Sequence, residues 1–218
     1  MLQAATMKFL RQLAENNNKP WFDAHREDYD AGRADFERLT DRVKQLMTDS
    51  VPELAEQQTK HCIFRIYRDV RFSKDKTPYK AHFSAYFSKG GRKYEGAGYY
   101  LHIEPGKSFA AGGLWMPSSA LLKAVRQEID YNFEAFREIV EDKTFNKLFG
   151  QLAEDKLKTL PKGYDAENPA IEYLKYKSFI AEHSFTDKEV LHQHFATDCH
   201  RIFKTMQPLV DFINRSFD

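Results

Sequence analysis

The chain is poor in cysteine, with only Cys62 and Cys199 among 218 residues. Two cysteines outside a CxxC pair exclude the disulfide framework of a small secreted domain and a cysteine-based redox motif. The first residues, MLQAATMKFLRQLAENN, lack the basic-then-apolar layout of a signal peptide, and no apolar run approaches membrane-spanning length. We therefore expect a cytoplasmic protein with no membrane partner.

The chain also lacks an excess of charge of one sign and the common nucleotide-binding motifs. Its formal net charge of +1 at pH 7 gives no global reason to expect nucleic acid or a membrane surface as partner. No GxGxxG opens a strand–helix unit, no Walker lysine motif is present, and GGRKYEGAG predicts a hairpin turn. In HQHFATDCH, at 192–200, no helix face collects three metal ligands at short spacing. We predict neither a cofactor nor a metal.

Positive charge is nevertheless concentrated in one stretch, residues 61–93, which we call the basic segment. Its nine Arg and Lys residues are opposed only by Asp69 and Asp75, so it carries about +7 and the rest of the chain about −6. The nine cations are Arg65, Arg68, Arg71, Lys74, Lys76, Lys80, Lys89, Arg92 and Lys93. A near-neutral total thus conceals a local positive field.

Apolar periodicity predicts helices at both ends of the chain. A helical stripe covers residues 5–15, and after a cap at Asn18, with Pro20 in the first turn, one long helix is predicted from Trp21 to a point before Pro52. Helical patterns return after Pro117. They include a capping box formed by Thr186 and Glu189 and end in a helix that contains Pro208.

Between these helices the apolar pattern has period two, which is typical of strands. The predicted strands are His61–Phe72, His82–Ser88, Ala97–Glu104 and Lys107–Trp115, and KYKSFIAEHSF is a candidate for a further one. Short links between the four predict an antiparallel meander. We expect a single α+β domain over residues 1–218, with a central antiparallel sheet of about four to six strands flanked by N-terminal and C-terminal helices.

Arg68 is the unusual residue of the basic segment. On a strand over His61–Phe72 it shares a face with apolar side chains, where an unpaired guanidinium is costly. We therefore expect Arg68 to be buried and paired with a carboxylate from a helix or with a bound anion. On the other face Arg65 and Arg71 flank Asp69, an arrangement suited to binding a carboxylate or phosphate by fork geometry.

An anion site is favoured over the structural alternative, in which a charged hairpin only protects a sheet edge from aggregation. The closely spaced arginines and the two aspartates favour the anion site. The predicted anion-binding residues are Arg65, Arg68, Arg71, Lys74, Lys76, Tyr79 and Lys80. The candidate catalytic groups, which would transfer protons, are Asp69, Asp75 and His82.

Several stretches resemble one known family. RIYRDVRFSKDKTPYKAHF resembles the signature of the domain-of-unknown-function 2461 family, as do FLRQLAENNNKPWFDAHREDYD, GYYLHIEPGKSFAAGGLWMP, and LKTLPKGYD followed by LKYKSF. The resemblance covers nearly the whole chain and implies no established activity, substrate or catalytic residue. It implies that the basic segment, NNNKPWF and KGYD…KYKSF form one site. Candidate wall residues of that site are Trp21, Lys162, Lys175 and Lys177.

Three functional classes fit these residues. The first is a small enzyme acting on a phosphorylated or carboxylated molecule, whose charge the basic segment clamps. The second is a nucleic-acid-binding module that stacks bases on Tyr67, Tyr79 and Tyr86. The third is a protein-interaction domain whose basic surface docks an acidic partner. We rank the small anionic ligand first, because an arginine on an apolar face is typical of a pocket and the chain has no net basic charge.

Overall fold

The fold is α+β, as the sequence predicts. The computed structural model describes residues 1–153 and 155–217. Within them it contains ten α-helices and one four-stranded antiparallel sheet in the order β1-β2-β3-β4. The strands are β1 (Phe83–Phe87), β2 (Gly98–Ile103), β3 (Ser108–Leu114) and β4 (Phe179–Phe185).

The helices precede and follow the first three strands in the chain. Those before β1 are α1 (Ala4–Glu15), α2 (Lys19–Ala24), α3 (Arg26–Met47) and α4 (Thr59–Cys62). Those after β3 are α5 (Ser119–Tyr131), α6 (Phe133–Val140), α7 (Lys143–Phe149), α8 (Ile171–Leu174), α9 (Asp187–Val190) and α10 (Phe195–Asn214). No helix in the described residues is both long enough and apolar enough to cross a membrane.

The chain divides into two compact units. The first unit comprises Met1–Arg92, Tyr100–Ala110 and Ser184–Arg201. The second comprises Lys93–Tyr99, Ala111–His183 and the C-terminal residues from Ile202 onward. That the whole chain forms a single domain stays a prediction.

Most predicted elements are confirmed, but the long N-terminal helix is interrupted at one residue. Asn18 caps α2 as expected, its side chain accepting a hydrogen bond from the N–H of Trp21 at 3.0 Å. His25 then leaves the helical conformation, with φ −113° and ψ 28°. Its ring nitrogen Nδ1 lies 2.8 Å from the Trp21 carbonyl oxygen, and its ring stacks on Trp21 at 4.0 Å. This local contact separates α2 from α3.

Three of the four predicted strands are confirmed as β1, β2 and β3. KYKSFIAEHSF supplies the fourth strand, β4. The prediction of a strand over His61–Phe72 is wrong, since this stretch holds only α4 and isolated bridges.

In the first unit, β1 packs against α3. The rings of Phe36 on α3 and Phe83 at the start of β1 stack with centroids 5.5 Å apart, and both side chains are buried. The buried Asp35 accepts hydrogen bonds from the N–H of Gln3 and the hydroxyl of Thr6, each at 2.7 Å, which ties the start of α1 to α3. The Phe36–Phe83 contact positions the start of β1 and therefore His82, the residue before it.

In the second unit, Gly113 allows a close backbone contact. It has φ +131°, a conformation that side chains disfavour, and a Cβ there would lie 1.9 Å from the carbonyl oxygen of Phe179. The side chain of Asn214 also bonds to backbone groups of this unit, accepting from the N–H of Ala97 at 2.8 Å and donating to its carbonyl at 3.2 Å.

Candidate anion site and histidine–glutamate cluster

The basic segment forms an irregular hairpin instead of the predicted strand. The two bridges pair Ile63 with Ala85 and Tyr67 with Tyr79, both antiparallel. The chain therefore folds back on itself as expected, but without a continuous ladder of hydrogen bonds.

Polar side chains explain the missing ladder, because they take backbone groups that a ladder needs. The carboxylate of Asp75 accepts from the N–H of Thr77 at 2.9 Å, and the ammonium of Lys76 donates to the carbonyl of Val70 at 2.9 Å. Such local hydrogen bonds compete with strand pairing. Residues 68–77 are a loop as a result.

Arg68 lies at the base of this loop. Its guanidinium donates to the carboxylate of Asp75 and to the hydroxyl of Thr77. The hydrogen bond from Arg68, followed by those from the N–H and hydroxyl of Thr77, lowers the pKa of Asp75 to about 2. The Arg68 side chain is 27% exposed. The predicted carboxylate partner is therefore present, but full burial and a partner from a helix are wrong.

Arg71 is also neutralised within the loop. Its Nε and Nη2 lie 2.9 and 2.7 Å from the two oxygens of Asp69, and this bidentate pair is exposed. The hydrogen bond from Arg71 holds the pKa of Asp69 below its ordinary value. Lys74 and Lys76 are exposed on the same loop. Both arginines of the loop thus already have carboxylate partners.

Two further cations lie near the ring of Phe64. The ammonium of Lys80 lies 5.4 Å from the ring centroid and the guanidinium of Arg92 lies 5.5 Å from it. Partial burial, followed by the positive charges of Arg65 and Arg92, lowers the pKa of Lys80. We call Arg65, Lys80 and Arg92 the cation cluster.

The cation cluster has no close carboxylate partner, although the charge of Arg65 contributes to lowering the pKa of Asp69. Among residues 1–153 and 155–217, none of its three side chains forms a salt bridge within 4.0 Å of a carboxylate oxygen. Arg65 and Arg92 are exposed, whereas Lys80 is half-buried. Arg92 was not predicted as a site residue, because it lies in the turn after β1 and reaches Phe64 only in the folded chain.

Beside these cations lies a cluster of two histidines and a glutamate, His82, His102 and Glu104. Nε2 of His102 is 2.9 Å from Oε2 of Glu104, and Nδ1 of His82 is 3.9 Å from the same oxygen. The two imidazole rings lie 4.1 Å apart, centroid to centroid. His82 was predicted as a site residue, whereas His102 and Glu104 were not.

The sheet brings this cluster together. His102 and Glu104 are two residues apart at the end of β2, so they share a face, and Tyr100 lies on that face as well. His82 precedes β1, the neighbouring strand. The period-two pattern YLHIE predicts that His102 and Glu104 share a face of a strand. That His82 joins them depends on the pairing of β1 with β2, which the pattern does not show.

The electrostatics keep both imidazoles neutral. Burial, followed by the charges of His102 and Lys80, lowers the pKa of His82 to about 4. Burial also lowers the pKa of His102, despite its hydrogen bond to Glu104. Burial opposes ionisation of Glu104, but the contacts with His102 and Lys107 outweigh it, so the Glu104 pKa is lowered. At neutral pH the cluster therefore consists of two neutral rings and a carboxylate.

Three neighbours hold the cluster in place. The hydroxyl of Tyr100 lies 3.2 Å from Nδ1 of His102, and the ring of Phe109 stacks on His102 at 4.7 Å. The ammonium of Lys107 lies 3.4 Å from Oε1 of Glu104. Each nitrogen of His102 and each oxygen of Glu104 thus has a partner.

The NNNKPWF stretch contacts the basic segment through Tyr79. The side-chain amide of Asn17 donates to the Tyr79 carbonyl at 2.9 Å and accepts from its N–H at 3.1 Å. Phe22 stacks on the Tyr79 ring at 4.0 Å. Trp21 is half-buried and stacks on His25, so its role as a site wall stays a prediction.

The three lysines predicted as further wall residues lie in the second unit. Lys175 pairs with Glu172 at 2.7 Å, and Lys177 pairs with Asp155. Lys162 is exposed. Their predicted place in the site is untested.

Comparison with known families gives one match. The family described as conserved hypothetical protein (DUF2461) matches residues 5–212 of the chain. No curated protein and no solved structure matches the chain. Because the match covers nearly all of the chain, the protein belongs to the DUF2461 family.

Proposed function

We propose that the protein binds a small anionic ligand, of phosphate or carboxylate type, at the cation cluster of Arg65, Lys80 and Arg92. The observation that carries this proposal is the convergence of three cations that have no carboxylate partner in the described chain. Like charges held together destabilise one another, and a bound anion relieves that repulsion. Two guanidinium forks and one ammonium suit compact oxyanions.

The proposed site differs from the arginine clamp expected from the sequence. Arg68 and Arg71 are paired with Asp75 and Asp69, so an incoming anion would have to displace those carboxylates. The cation cluster imposes no such cost. Of the predicted anion-binding residues, Arg65 and Lys80 therefore remain central.

We propose His82 as the reactive group beside the bound anion, which makes the protein a small enzyme. Asp69 and Asp75 are poor proton acceptors, because the arginines beside them lower their pKa values. His82 is neutral at pH 7 and is close enough to Lys80 to feel its charge. Burial, with the neighbouring positive charges, makes His82 a weak base in the free protein. An anion bound beside it would offset the charges of Lys80 and Arg68 and raise its pKa, which favours proton transfer from the ligand.

A thermal-shift screen tests this function. Inorganic phosphate, sugar phosphates, nucleotides and dicarboxylates are added to the wild-type protein, and the expected result is a rise in Tm with a compact anion. A ligand at 100 times its Kd stabilises the native state by about 2.7 kcal/mol. The shift is expected to disappear in Lys80→Met and to persist in Arg71→Gln. A screen without any specific shift would refute the proposal.

Nucleic-acid binding is the second candidate, because the basic segment carries exposed aromatic side chains. Phe72 is 95% exposed with the guanidinium of Arg71 5.8 Å from its ring, and Tyr67 is 46% exposed. Exposed aromatic rings beside arginines are typical of surfaces that stack single-stranded bases. This candidate predicts salt-sensitive oligonucleotide binding that Phe72→Ala weakens and Lys80→Met changes less.

A further inference from the structure

We propose that His82, His102 and Glu104 form a binding site for a divalent first-row transition-metal ion. Among the described residues these three place one donor atom each within 4.8 Å of the others. None of these ligands belongs to the cation cluster, but His82 is also the residue proposed above to accept a proton.

One of the three separations between donor atoms already matches that of two ligands on one ion, and all three are within 4.8 Å. Ligands bound at about 2.0–2.2 Å to one metal lie about 3 Å from one another. The nitrogen of His102 and the oxygen of Glu104 are already 2.9 Å apart. His82 Nδ1, at 3.9 Å from that oxygen, has to approach it by about 1 Å for the three groups to bind one ion.

The donor set indicates the class of metal. Two imidazole nitrogens and one carboxylate oxygen suit Zn²⁺, Fe²⁺, Co²⁺ or Ni²⁺, whereas Ca²⁺ and Mg²⁺ prefer oxygen ligands. Three protein ligands leave at least one coordination position open, as in catalytic rather than structural sites.

The neighbours of the three ligands are of the kind that orients metal ligands. Tyr100 contacts His102 at Nδ1, which leaves Nε2 directed at Glu104. Lys107 contacts Oε1 of Glu104 and leaves Oε2 for the cluster. Outer contacts of this type fix the ring orientation and the oxygen presented to an ion.

The nearby cations oppose a metal ion, and this has a testable consequence. Lys80 and Arg68 both act electrostatically on His82. An anion bound at the cation cluster would offset this repulsion, so phosphate is expected to tighten metal binding. This coupling, unlike the metal site itself, rests on the proposed function. A nitrogen of His82 that binds a metal ion cannot accept a proton at the same time, because both need its lone pair.

The test is a titration of the full-length, chelator-treated protein with Co²⁺, followed by visible absorption, and with Zn²⁺, followed by calorimetry. The expected result is one equivalent of each ion per chain. Glu104→Gln and His102→Asn are expected to weaken the affinity at least tenfold. His194→Gln, which removes an exposed histidine outside the cluster, is the matched control and should leave the affinity within twofold.

Absence of stoichiometric binding would overturn the proposal, as would binding that survives both cluster substitutions or is lost in the control. Should His102→Asn fail to fold, Glu104→Gln decides, because Glu104 is 26% exposed and glutamine keeps its shape. Repeating the titration with inorganic phosphate separates the two proposals. Metal binding that phosphate does not tighten contradicts the coupling and leaves the metal site intact.

Discussion

Lys80 holds its ammonium 5.4 Å from the centre of the Phe64 ring, half-buried and without a carboxylate partner among the described residues. Arg92 approaches the same ring, and both Arg92 and Arg65 act on the Lys80 charge. The loop at residues 68–77 is the opposite case, since its arginines are paired with aspartates. The basic segment thus contains two arginines paired with aspartates and a cluster of cations that form no such pairs.

The pKa of Lys80 reports directly on its neighbours. Burial and the charges of Arg65 and Arg92 lower it, so Arg92→Gln should raise it, although burial keeps it below 10.5. Arg71→Gln should leave it unchanged, since Arg71 is paired with Asp69. NMR titration of isotopically dimethylated lysines measures the shift. An identical Lys80 pKa in wild type and Arg92→Gln would show that the cations do not interact.

Arg68→Met should cost little stability. Removing one partner of a buried ion pair typically costs about 3–5 kcal/mol. The carboxylate that Arg68 would leave behind, on Asp75, is 56% exposed and stays solvated. We therefore expect Arg68→Met to lower the free energy of unfolding, measured with urea, by much less than that range and by an amount similar to Arg71→Met. A loss as large as that of a buried pair would contradict the partial exposure of Arg68.

Asp75 should make stability depend on pH under acidic conditions. Its pKa in the folded protein is about 2, below the ordinary value of 3.8. The stabilisation by its ionised form is therefore complete above the unfolded-state pKa and is lost as the pH falls through the folded-state pKa. The difference in unfolding free energy between wild type and Asp75→Asn should vanish between about pH 5 and pH 2. A difference that does not change with pH would contradict the ion pair.

Gly113→Ala should be strongly destabilising, by several kcal/mol. The added Cβ would lie 1.9 Å from the Phe179 carbonyl oxygen, a backbone atom. Gly106→Ala is the matched control, because Gly106 also has a positive φ, +75°, but nothing lies within 4 Å of the added Cβ. Strain alone costs about 1–2 kcal/mol there. Equal losses in urea unfolding of the two variants would refute the close approach.

The elements that the sequence predicts correctly depend on local signals. The Asn18 cap, the Thr186–Glu189 capping box and the alternation along β1, β2 and β3 are all properties of short stretches. The prediction of a strand over His61–Phe72 is wrong for a local reason too. Its alternation is genuine, but the side chains of the 68–77 loop bind backbone groups that a ladder would use.

The candidate site is less predictable, because its members come together only through tertiary contacts. Arg92 and Lys80 come close to the same ring, that of Phe64, only in the folded chain. His82 meets His102 because β1 and β2 are neighbours. Charge density identifies the basic segment, but it does not distinguish an arginine paired with aspartate from a cation without a partner.

Calorimetric titration with pyrophosphate, a compact multivalent anion, tests the central claim most directly. The proteins compared are the wild type, Lys80→Met and Arg71→Gln, each of the two variants lacking one positive charge of the basic segment. We expect the wild type to bind, Lys80→Met to weaken the affinity at least tenfold, and Arg71→Gln to stay within twofold of the wild type. No binding to the wild type, or an equal loss in both variants, would contradict it.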